Sequence, residues 1–279
     1  MTDIAACGKG EDKAGEAYWT GLWKDRPLPK SVLHDDPIIS EHFTRAWKAL
    51  FKQALEGVPA GSTLLEIGCS GSPWLPYCHH AHGLRVRGLD YSEIGCEQAR
   101  AVLARDKAPG EVVCADFFAP PPELRGSHDA VISIGVVEHF TDTAGCLRAF
   151  AEFLRPGGVM LTIIPNLSGL LGMLQKRLNR PVYDLHVILN REKLAAAHRD
   201  AGLTVVSCEY FMFANSGVLV PCGPKDRPSR RWLMQRFQNR LGGMTEFLWA
   251  REERGWRLPP NVFTSPYVVC VARKPAPAA

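Results

Sequence analysis

The stretch that most constrains the fold is residues 63–71, where a short apolar run ends in an acidic residue and passes into a glycine turn. The run predicts a buried strand that ends at Ile67, and Gly68 and Gly71 allow a tight turn after it. A helix that follows such a turn directs its first N–H groups at a bound anion. The pattern predicts an α/β fold with a nucleotide-type pocket at the end of this strand.

A dinucleotide site is the first possibility to test against these residues. Its fingerprint needs glycine at positions 68, 70 and 73. The chain has Gly68, Ser70 and Pro73 at these positions, so two of the three glycines are missing. The sequence therefore argues against a site for NAD.

Glu66, which lies two residues before Gly68, and the turn after it resemble motif I of the class I S-adenosylmethionine-dependent methyltransferases. Four more segments resemble later landmarks of that family in the same order, and the resemblance covers about residues 60 to 215. They are residues 84–92, 111–117, 129–140 and 154–164. Ser70 is a departure, because many relatives have glycine there, although Gly71 could compensate.

The resemblance implies where S-adenosylmethionine and its product S-adenosylhomocysteine would bind. Asp90 lies at a strand end 22 residues after Gly68 and is implied to accept from the ribose hydroxyls. Asp116 is implied to accept from the adenine amino group, although a strand-terminal aspartate is equally common as a turn former. The implied cofactor site comprises Trp19, Glu66, Gly68, Ser70, Gly71, Asp90, Tyr91, Asp116, Phe117 and Gly135.

Strands and helices alternate along the chain, and this pattern sets the expected architecture. We expect a doubly wound, Rossmann-like sheet of seven mostly parallel strands flanked by helices, in a single domain. It divides into an N-terminal arm or lid (residues 1–39), a cofactor-binding core (40–213), an insertion before the last strand (214–265), and the last strand with a tail (266–279). Ser40 and Ser92 are expected to cap two of the core helices.

The arm and the insertion lie outside the cofactor core, and we expect them to determine substrate choice. Tyr18, Trp19 and Trp23 could present aromatic faces to a sulfonium cation, or could pin the arm onto the core. The insertion is long enough to have a function of its own or to be a disordered loop. Its eight arginines could grip an anionic substrate, but a solvated helix face is favoured. The predicted substrate-binding residues are Tyr18, Trp23, Glu138, Tyr183 and Phe213.

His139 and His186 are the candidate catalytic bases. Methyl transfer mainly requires that donor and acceptor be held in attack geometry, and only a neutral hydroxyl or a carbon acid benefits from a base. His139 follows the predicted fourth strand, and His186 lies in a segment that resembles one near the substrate in the family. A structural role remains open for both.

The segment after the fourth strand, residues 135–139, reads Gly-Val-Val-Glu-His. Methyltransferases of exocyclic base amines usually carry Asn/Asp-Pro-Pro-aromatic there, so base methylation of DNA is not expected. We predict transfer of a methyl group to the oxygen, nitrogen or sulfur of a small molecule. The alternatives are an RNA or protein methyltransferase that uses the insertion, and a non-catalytic scaffold that binds the cofactor.

Charge and cysteine content limit the partners. A net charge of +4 is too small to imply a nucleic-acid partner. Nine cysteines without a Cys-x-x-Cys pair favour a reducing compartment and argue against a zinc module, so we expect no metal. With no signal-peptide pattern and no long apolar run, we expect a cytoplasmic protein without a membrane partner. The oligomeric state cannot be read from the sequence.

Overall fold

The computed structural model describes residues 10–24, 26–34, 41–222, 226–256 and 258–276. One sheet has the strand order β3-β2-β1-β4-β5-β7-β6. Its strands are β1 Thr63–Ile67, β2 Arg85–Asp90, β3 Gly110–Cys114, β4 His128–Ile134, β5 Leu154–Pro165, β6 Thr204–Phe211 and β7 Tyr267–Arg273. The helices are α1 Glu16–Lys24, α2 His42–Ala54, α3 Trp74–His82, α4 Glu93–Arg105, α5 Thr143–Phe153, α6 Leu170–Leu178, α7 Arg180–Asp184, α8 Arg191–Asp200 and α9 Pro228–Glu253.

The sheet is parallel except for β7. Strand β1 pairs in parallel with β2 on one side and with β4 on the other, whereas β7 runs antiparallel between β5 and β6. This arrangement confirms the predicted fold class of seven mostly parallel strands. The chain leaves β1 toward β2 and β3 and later returns to β4 on the other side. Ligands bind at such a switch point, outside the carboxyl ends of the strands.

Helices cover both faces of the sheet, and each face has its own apolar core. Along β1 the side chains alternate, so that Leu65 and Ile67 join one core and Leu64 joins the other. The first core contains Phe150 of α5, and the second contains Phe51 of α2. Burial on both faces explains why β1 reads as a continuous apolar run with one acidic interruption.

The helix starts agree in part with the sequence. The Ser92 hydroxyl accepts a hydrogen bond from the backbone N–H of Gly95, as expected for the cap of α4. Ser40 lies outside the described residues, and the residue before α2, Glu41, makes no capping bond with its side chain. Asp142 caps α5 by accepting from the N–H of Gly145.

The insertion contains a long helix, so a disordered loop is the wrong description of residues 228–253. Of the side chains of α9, which is described throughout, only Thr245 and Trp249 are buried. The indole N–H of Trp249 donates to the Ala214 carbonyl at 2.9 Å and fixes the helix to the segment after β6. The remaining face is solvated, as the sequence favoured. Within the described ranges, no helix is long and apolar enough to cross a membrane.

Candidate active site

A cavity of about 410 Å³ lies at the carboxyl ends of β1, β2 and β4, where the strand order reverses. It brings together most of the residues that the sequence predicted. Those that line it are Trp19, Trp23, Glu66, Gly68, Ser70, Gly71, Asp90, Tyr91, Phe117, Gly135, Glu138, His139 and His186. Predicted cofactor and acceptor groups therefore share one cavity.

The turn after β1 lines the cavity and requires glycine at position 68. Gly68 has a φ of +76°, in the left-handed region, and its N–H donates to the Leu89 carbonyl at 2.8 Å. A Cβ at this position would lie 2.5 Å from Cγ2 of Val136, closer than real contacts allow. Glycine is therefore required both by the backbone conformation and by the close approach of the loop after β4.

Glu66, in β1, is 1% exposed, and its carboxylate lines the cavity. Within the described part of the chain, neither of its oxygens has a partner with full hydrogen-bond geometry. Burial raises the pKa of Glu66 to about 8, although the nearby Ser72 side chain opposes part of the rise. A buried carboxyl without a partner costs free energy, so this position suits a ligand that brings a positive charge or donors.

Asp90 ends β2 and ties two turns together. Its Oδ2 accepts from the backbone N–H of Ser70 at 3.2 Å and from the Ser70 hydroxyl at 2.7 Å, while Oδ1 accepts from the N–H of Ser92 at 2.9 Å. Burial raises the pKa of Asp90, and these hydrogen bonds oppose the rise. The carboxylate is thus held in a fixed orientation at the cavity wall.

Ser70, the departure from the glycine pattern, has a structural partner that the sequence did not reveal. Its hydroxyl lies where a Cβ on Gly95 would have to go. Gly95, in the first turn of α4, therefore leaves room for the serine that orients Asp90. The pairing of these two positions has no local sequence signal, because they lie on different elements.

Asp116 and Phe117 follow β3 and differ in their placement. Oδ1 of Asp116 accepts from the N–H of Phe118 at 2.9 Å and so closes the turn; Asp116 is absent from the described lining residues. The Phe117 ring does line the cavity and packs edge-to-face on Phe140, with ring centroids 5.3 Å apart.

The described part of the N-terminal arm covers the cavity with α1. Trp19 and Trp23 line it, and Trp19 stacks on Trp23 with centroids 6.5 Å apart. The arm is anchored by Nζ of Lys13, which donates to the His186 carbonyl at 2.9 Å, and by the hydroxyl of Tyr91, which donates to Asp12 at 3.0 Å. The aromatic residues are therefore fixed over the site by polar contacts to the core.

Glu138, His139 and His186 form a cluster at one end of the cavity, which we call the His–Glu cluster. Glu138 and His139 lie on a short 3₁₀ helix, Val137–His139, after β4, and His186 follows α7. Nε2 of His139 is 3.9 Å from Oε1 of Glu138, and the two imidazole centroids are 4.6 Å apart. Residues that are 47 positions apart in the sequence thus meet in the fold.

Backbone carbonyls fix the protonation of both rings. Nδ1 of His139 lies 3.0 Å from the Leu185 carbonyl, and Nδ1 of His186 lies 2.8 Å from the Val182 carbonyl. Because a carbonyl only accepts, each Nδ1 carries the proton and each Nε2 keeps a lone pair. Burial, followed by the nearby His186, lowers the pKa of His139 to about 4, and burial lowers the pKa of His186. Both rings are therefore neutral at pH 7.

Three predicted substrate residues are not among the described residues that line the cavity. Tyr18 packs edge-to-face on Trp19, with ring centroids 5.1 Å apart, and so supports a lining residue. The ring of Tyr183 lies under Nζ of Lys176 at 5.6 Å. Phe213 lies beyond the end of β6 and is partly buried.

The cavity is also lined by residues that the sequence did not predict to be part of the site. They are Ser72, Pro73, Trp74, Leu89, Ala115, Ile134, Val136, Phe140, Pro165 and Val218. Those at 72–74 continue the turn after β1 and could have been found by extending the motif. Pro165 and Val218 arrive from the end of β5 and from the insertion, and no local pattern marks them.

Comparisons with known proteins agree with this geometry. A family model described as a methyltransferase domain matches residues 39–208. A ubiquinone biosynthesis O-methyltransferase of Sinorhizobium medicae is 33% identical over 159 residues, which are 53% of this chain and 58% of that protein. A probable tRNA methyltransferase 9B of Bos taurus is 30% identical over 145 residues, 49% of this chain and 30% of that protein. The match thus spans only part of these relatives, 58% of the first and 30% of the second.

Among solved structures, a geranyl diphosphate C-methyltransferase from Streptomyces coelicolor, in a complex that includes S-adenosyl-L-homocysteine, is similar with a TM-score of 0.57. The match covers 91% of this chain and 96% of that one, at 16% identity. At this identity the likeness shows the fold alone.

Proposed function

Because the chain belongs to the class I S-adenosylmethionine-dependent methyltransferases, we propose that it transfers a methyl group from S-adenosylmethionine to an oxygen, nitrogen or sulfur atom of a small molecule. The observation that carries the proposal is the unpartnered, buried carboxylate of Glu66 at the open turn of Gly68. A cation at this point would satisfy both oxygens, and the methionine part of the cofactor carries an ammonium group.

The residues of the cavity fit the rest of the cofactor. Asp90 retains lone pairs beyond those used by Ser70 and Ser92, and these can accept from ribose hydroxyls. Phe117 offers a ring to the adenine end, and its position after β3 places it near Asp90. We propose that Glu66, Asp90 and Phe117 hold the cofactor, with Gly68, Ser70, Gly71, Tyr91 and Gly135 shaping the walls.

The cofactor supplies a methyl group on a positively charged sulfur, and the carbon–sulfur bond breaks with its electron pair left on sulfur as the acceptor atom bonds to carbon. The protein must align the two partners and exclude water. Trp19 and Trp23 cover the cavity, and the contact of Lys13 with the His186 carbonyl holds this cover in place. A cavity of about 410 Å³ is within the range of small-molecule sites.

The His–Glu cluster is proposed to contact the reacting group of the acceptor. His139 and His186 each present an unprotonated Nε2, as the carbonyl contacts of their Nδ1 atoms require. Such a nitrogen can accept a proton or a hydrogen bond from a hydroxyl. Replacement of His186 is therefore expected to reduce turnover with little effect on cofactor affinity.

The arginines of α9 give limited support to an RNA substrate. Arg230 pairs with Asp226, whereas Arg236 and Arg251 lie over the rings of Trp232 and Phe247. These arginines already have local partners, which favours the solvated helix face over a binding surface. A small-molecule acceptor also agrees with the name of the ubiquinone relative.

We further propose that the protein works in the cytoplasm. The eight cysteines within the described ranges are all free thiols, and most are buried. Free buried thiols are typical of a reducing compartment.

Calorimetry with S-adenosylmethionine, S-adenosylhomocysteine and NAD tests the cofactor site. We expect micromolar binding of the first two and no binding of NAD.

Transfer of a labelled methyl group is then measured into a small-molecule extract and, separately, into total RNA. Label in the extract supports the proposal. Label in RNA, with affinity that falls steeply as salt rises, would replace it with the RNA alternative. Cofactor binding without any transfer would favour the scaffold.

A further inference from the structure

The His–Glu cluster has an unusual balance of donors and acceptors. Nε2 of His139 and Nε2 of His186 are acceptors, because both protons sit on Nδ1. Glu138 is 2% exposed, and within the described residues neither of its oxygens has a hydrogen-bond partner. Three groups that bind cations or protons therefore converge at one end of the cavity, where Nζ of Lys13 donates to the backbone carbonyl of His186.

A single proton would not satisfy the cluster. A protonated Glu138 could donate to only one neighbour, and the 3.9 Å between its Oε1 and Nε2 of His139 is too long for a hydrogen bond. That one proton could not serve Nε2 of His186 at the same time. A cation with several coordination positions can satisfy all three groups at once.

The ligand atoms are close enough for a metal ion. One atom from each of Glu138, His139 and His186 lies within 4.8 Å of the others. Zinc at its usual bond lengths of about 2.0–2.2 Å places tetrahedral ligands roughly 3.3 Å apart. Side-chain movements of up to about 1.5 Å would therefore bring the ligand atoms to these separations.

The contacts behind the ligands also match those of metal centres. A metal-ligating histidine typically donates its other ring N–H to a carbonyl or carboxylate, which fixes the tautomer and the ring orientation. Leu185 and Val182 supply such carbonyls to His139 and His186. Trp19 packs edge-on against the His139 ring, with centroids 5.0 Å apart, and limits its movement.

We propose that Glu138, His139 and His186 bind one divalent transition-metal ion, of which Zn²⁺ is the representative, at the end of the cavity. The sequence predicted no metal, because it has no Cys-x-x-Cys pair and because His186, 47 residues after His139, leaves no spacing motif. Two imidazoles and a carboxylate are a common ligand set for Zn²⁺ sites that keep a position open to water or substrate.

The role of the ion rests on the proposed function, whereas its binding does not. With the ion bound, the Nε2 atoms of both histidines are ligands and no longer accept a proton. A hydroxyl of the acceptor that binds the ion loses its proton more readily, and the proton leaves to solvent. The resulting oxygen anion forms the new bond to the methyl carbon while the carbon–sulfur bond breaks toward sulfur. The site therefore narrows the acceptor to an oxygen nucleophile, such as a phenol or an enol, that can ionise on a metal.

The test measures metal binding directly, with no cofactor or acceptor present. The full chain is stripped with a chelator and titrated with Zn²⁺ in competition with a chromophoric chelator, and with Co²⁺ by visible absorption. We expect one ion per chain and a Co²⁺ spectrum of a low-coordinate site. Glu138→Gln and His186→Ala should each weaken Zn²⁺ binding by at least about 10-fold.

The variants keep the test independent of folding. Glutamine keeps the size and shape of the Glu138 side chain and removes only its ability to carry a negative charge. His80→Ala is the matched control, because His80 is exposed on α3 beside two other histidines that could bind metal weakly. Equal affinity in Glu138→Gln, His186→Ala and the wild type would overturn the proposal, as would loss of binding in His80→Ala alone.

Failure of the metal site and failure of the proposed function give different results. Zinc binding that depends on Glu138 and His186 supports the site even if S-adenosylmethionine does not bind, and only the proposed function then fails. If the stripped chain transfers methyl groups as fast as the Zn²⁺-loaded chain, the role of the ion is wrong although the cofactor reaction stands.

Discussion

The hydroxyl of Ser70 donates a 2.7 Å hydrogen bond to Oδ2 of Asp90, 20 residues later in the chain. The backbone N–H of Ser70 reaches the same oxygen, so two donors from the turn after β1 hold the carboxylate that ends β2. The serine at a position where the family often has glycine therefore has a defined task, which is to orient Asp90. Gly95 makes this possible by leaving space for the hydroxyl.

Replacement of Asp90 should weaken the cofactor complex. Asp90→Ala would remove the charge-assisted hydrogen bonds that we propose Asp90 makes to the ribose, and we expect a loss of about 1–3 kcal/mol, or about 5- to 150-fold in Kd by calorimetry. Glu111→Ala is the control, since Glu111 is an exposed acid on the adjacent strand β3. Unchanged affinity in Asp90→Ala, or an equal loss in the control, would remove Asp90 from the proposed site.

Glu66 should make the stability of the cofactor-free protein depend on pH. Its folded-state pKa of about 8 is above the ordinary value of 4.5, so the folded chain binds the extra proton. The stability that Glu66 contributes is therefore present below pH 4.5 and is lost as pH rises toward 8. The stability of Glu66→Gln does not depend on this titration, because glutamine does not ionise. Its free energy of unfolding, relative to that of the wild type, should therefore rise by on the order of 3 kcal/mol between pH 5 and pH 8.5.

Urea unfolding of wild type and Glu66→Gln at those two pH values measures this difference. Subtraction cancels the other titrating groups, because both proteins share them. A difference in unfolding free energy that stays constant with pH would mean that Glu66 is not protonated in the folded state. The same variant should bind S-adenosylmethionine more weakly at pH 8.5, since glutamine lacks the negative charge that we propose pairs with the ammonium group of the cofactor.

Gly68→Ala should destabilise the fold through two separable effects. The first is the positive φ of +76°, and the second is the 2.5 Å approach of the new Cβ to Cγ2 of Val136. Gly126→Ala is the matched control, because Gly126 has a φ of +60° with no atom within 4 Å of its Cβ position. We expect Gly126→Ala to cost about 1 kcal/mol and Gly68→Ala about 1–2 kcal/mol more.

A second change separates the clash from the strain. Val136→Ala removes the methyl group that the new Cβ would contact. The loss of unfolding free energy that Val136→Ala causes should therefore be smaller in the Gly68→Ala background than in the wild type. Chemical denaturation of the four proteins gives the coupling energy. Additive effects would mean that the loop after β4 moves away at no cost.

The sequence predicted those features whose cause is local. The apolar run of β1, the Ser92 cap and the glycine turn at Gly68 each follow from neighbouring residues, and the structure has them as predicted. The order of the five landmark segments also gave the fold class, because class I methyltransferases keep that order along the chain.

Other features depend on contacts between distant segments and have no local signal. His186 lies close to Glu138 because the segment after α7 packs against the end of β4. Its Nε2 is unprotonated because Nδ1 donates its proton to the Val182 carbonyl. The burial of Glu138 likewise depends on the packed fold. Ser40 lies outside the described residues, and its predicted cap stays a prediction.

Substitution of Trp19 can distinguish two roles of the N-terminal arm. The arm could contact the sulfonium cation of the cofactor, or it could only be anchored to the core. The ring lines the cavity and packs on Trp23 and His139. An aromatic face stabilises a sulfonium by about 0.5–2 kcal/mol, but S-adenosylhomocysteine has a neutral thioether at that position. Trp19→Ala should therefore weaken S-adenosylmethionine binding about 2- to 30-fold more than S-adenosylhomocysteine binding, whereas loss of an anchor alone would weaken both equally. Calorimetry with both ligands measures the ratio of the S-adenosylmethionine affinity to the S-adenosylhomocysteine affinity. Trp19→Phe keeps an aromatic ring and should have a ratio close to that of the wild type. Trp232→Ala, which changes an exposed tryptophan on α9, should leave the ratio unchanged.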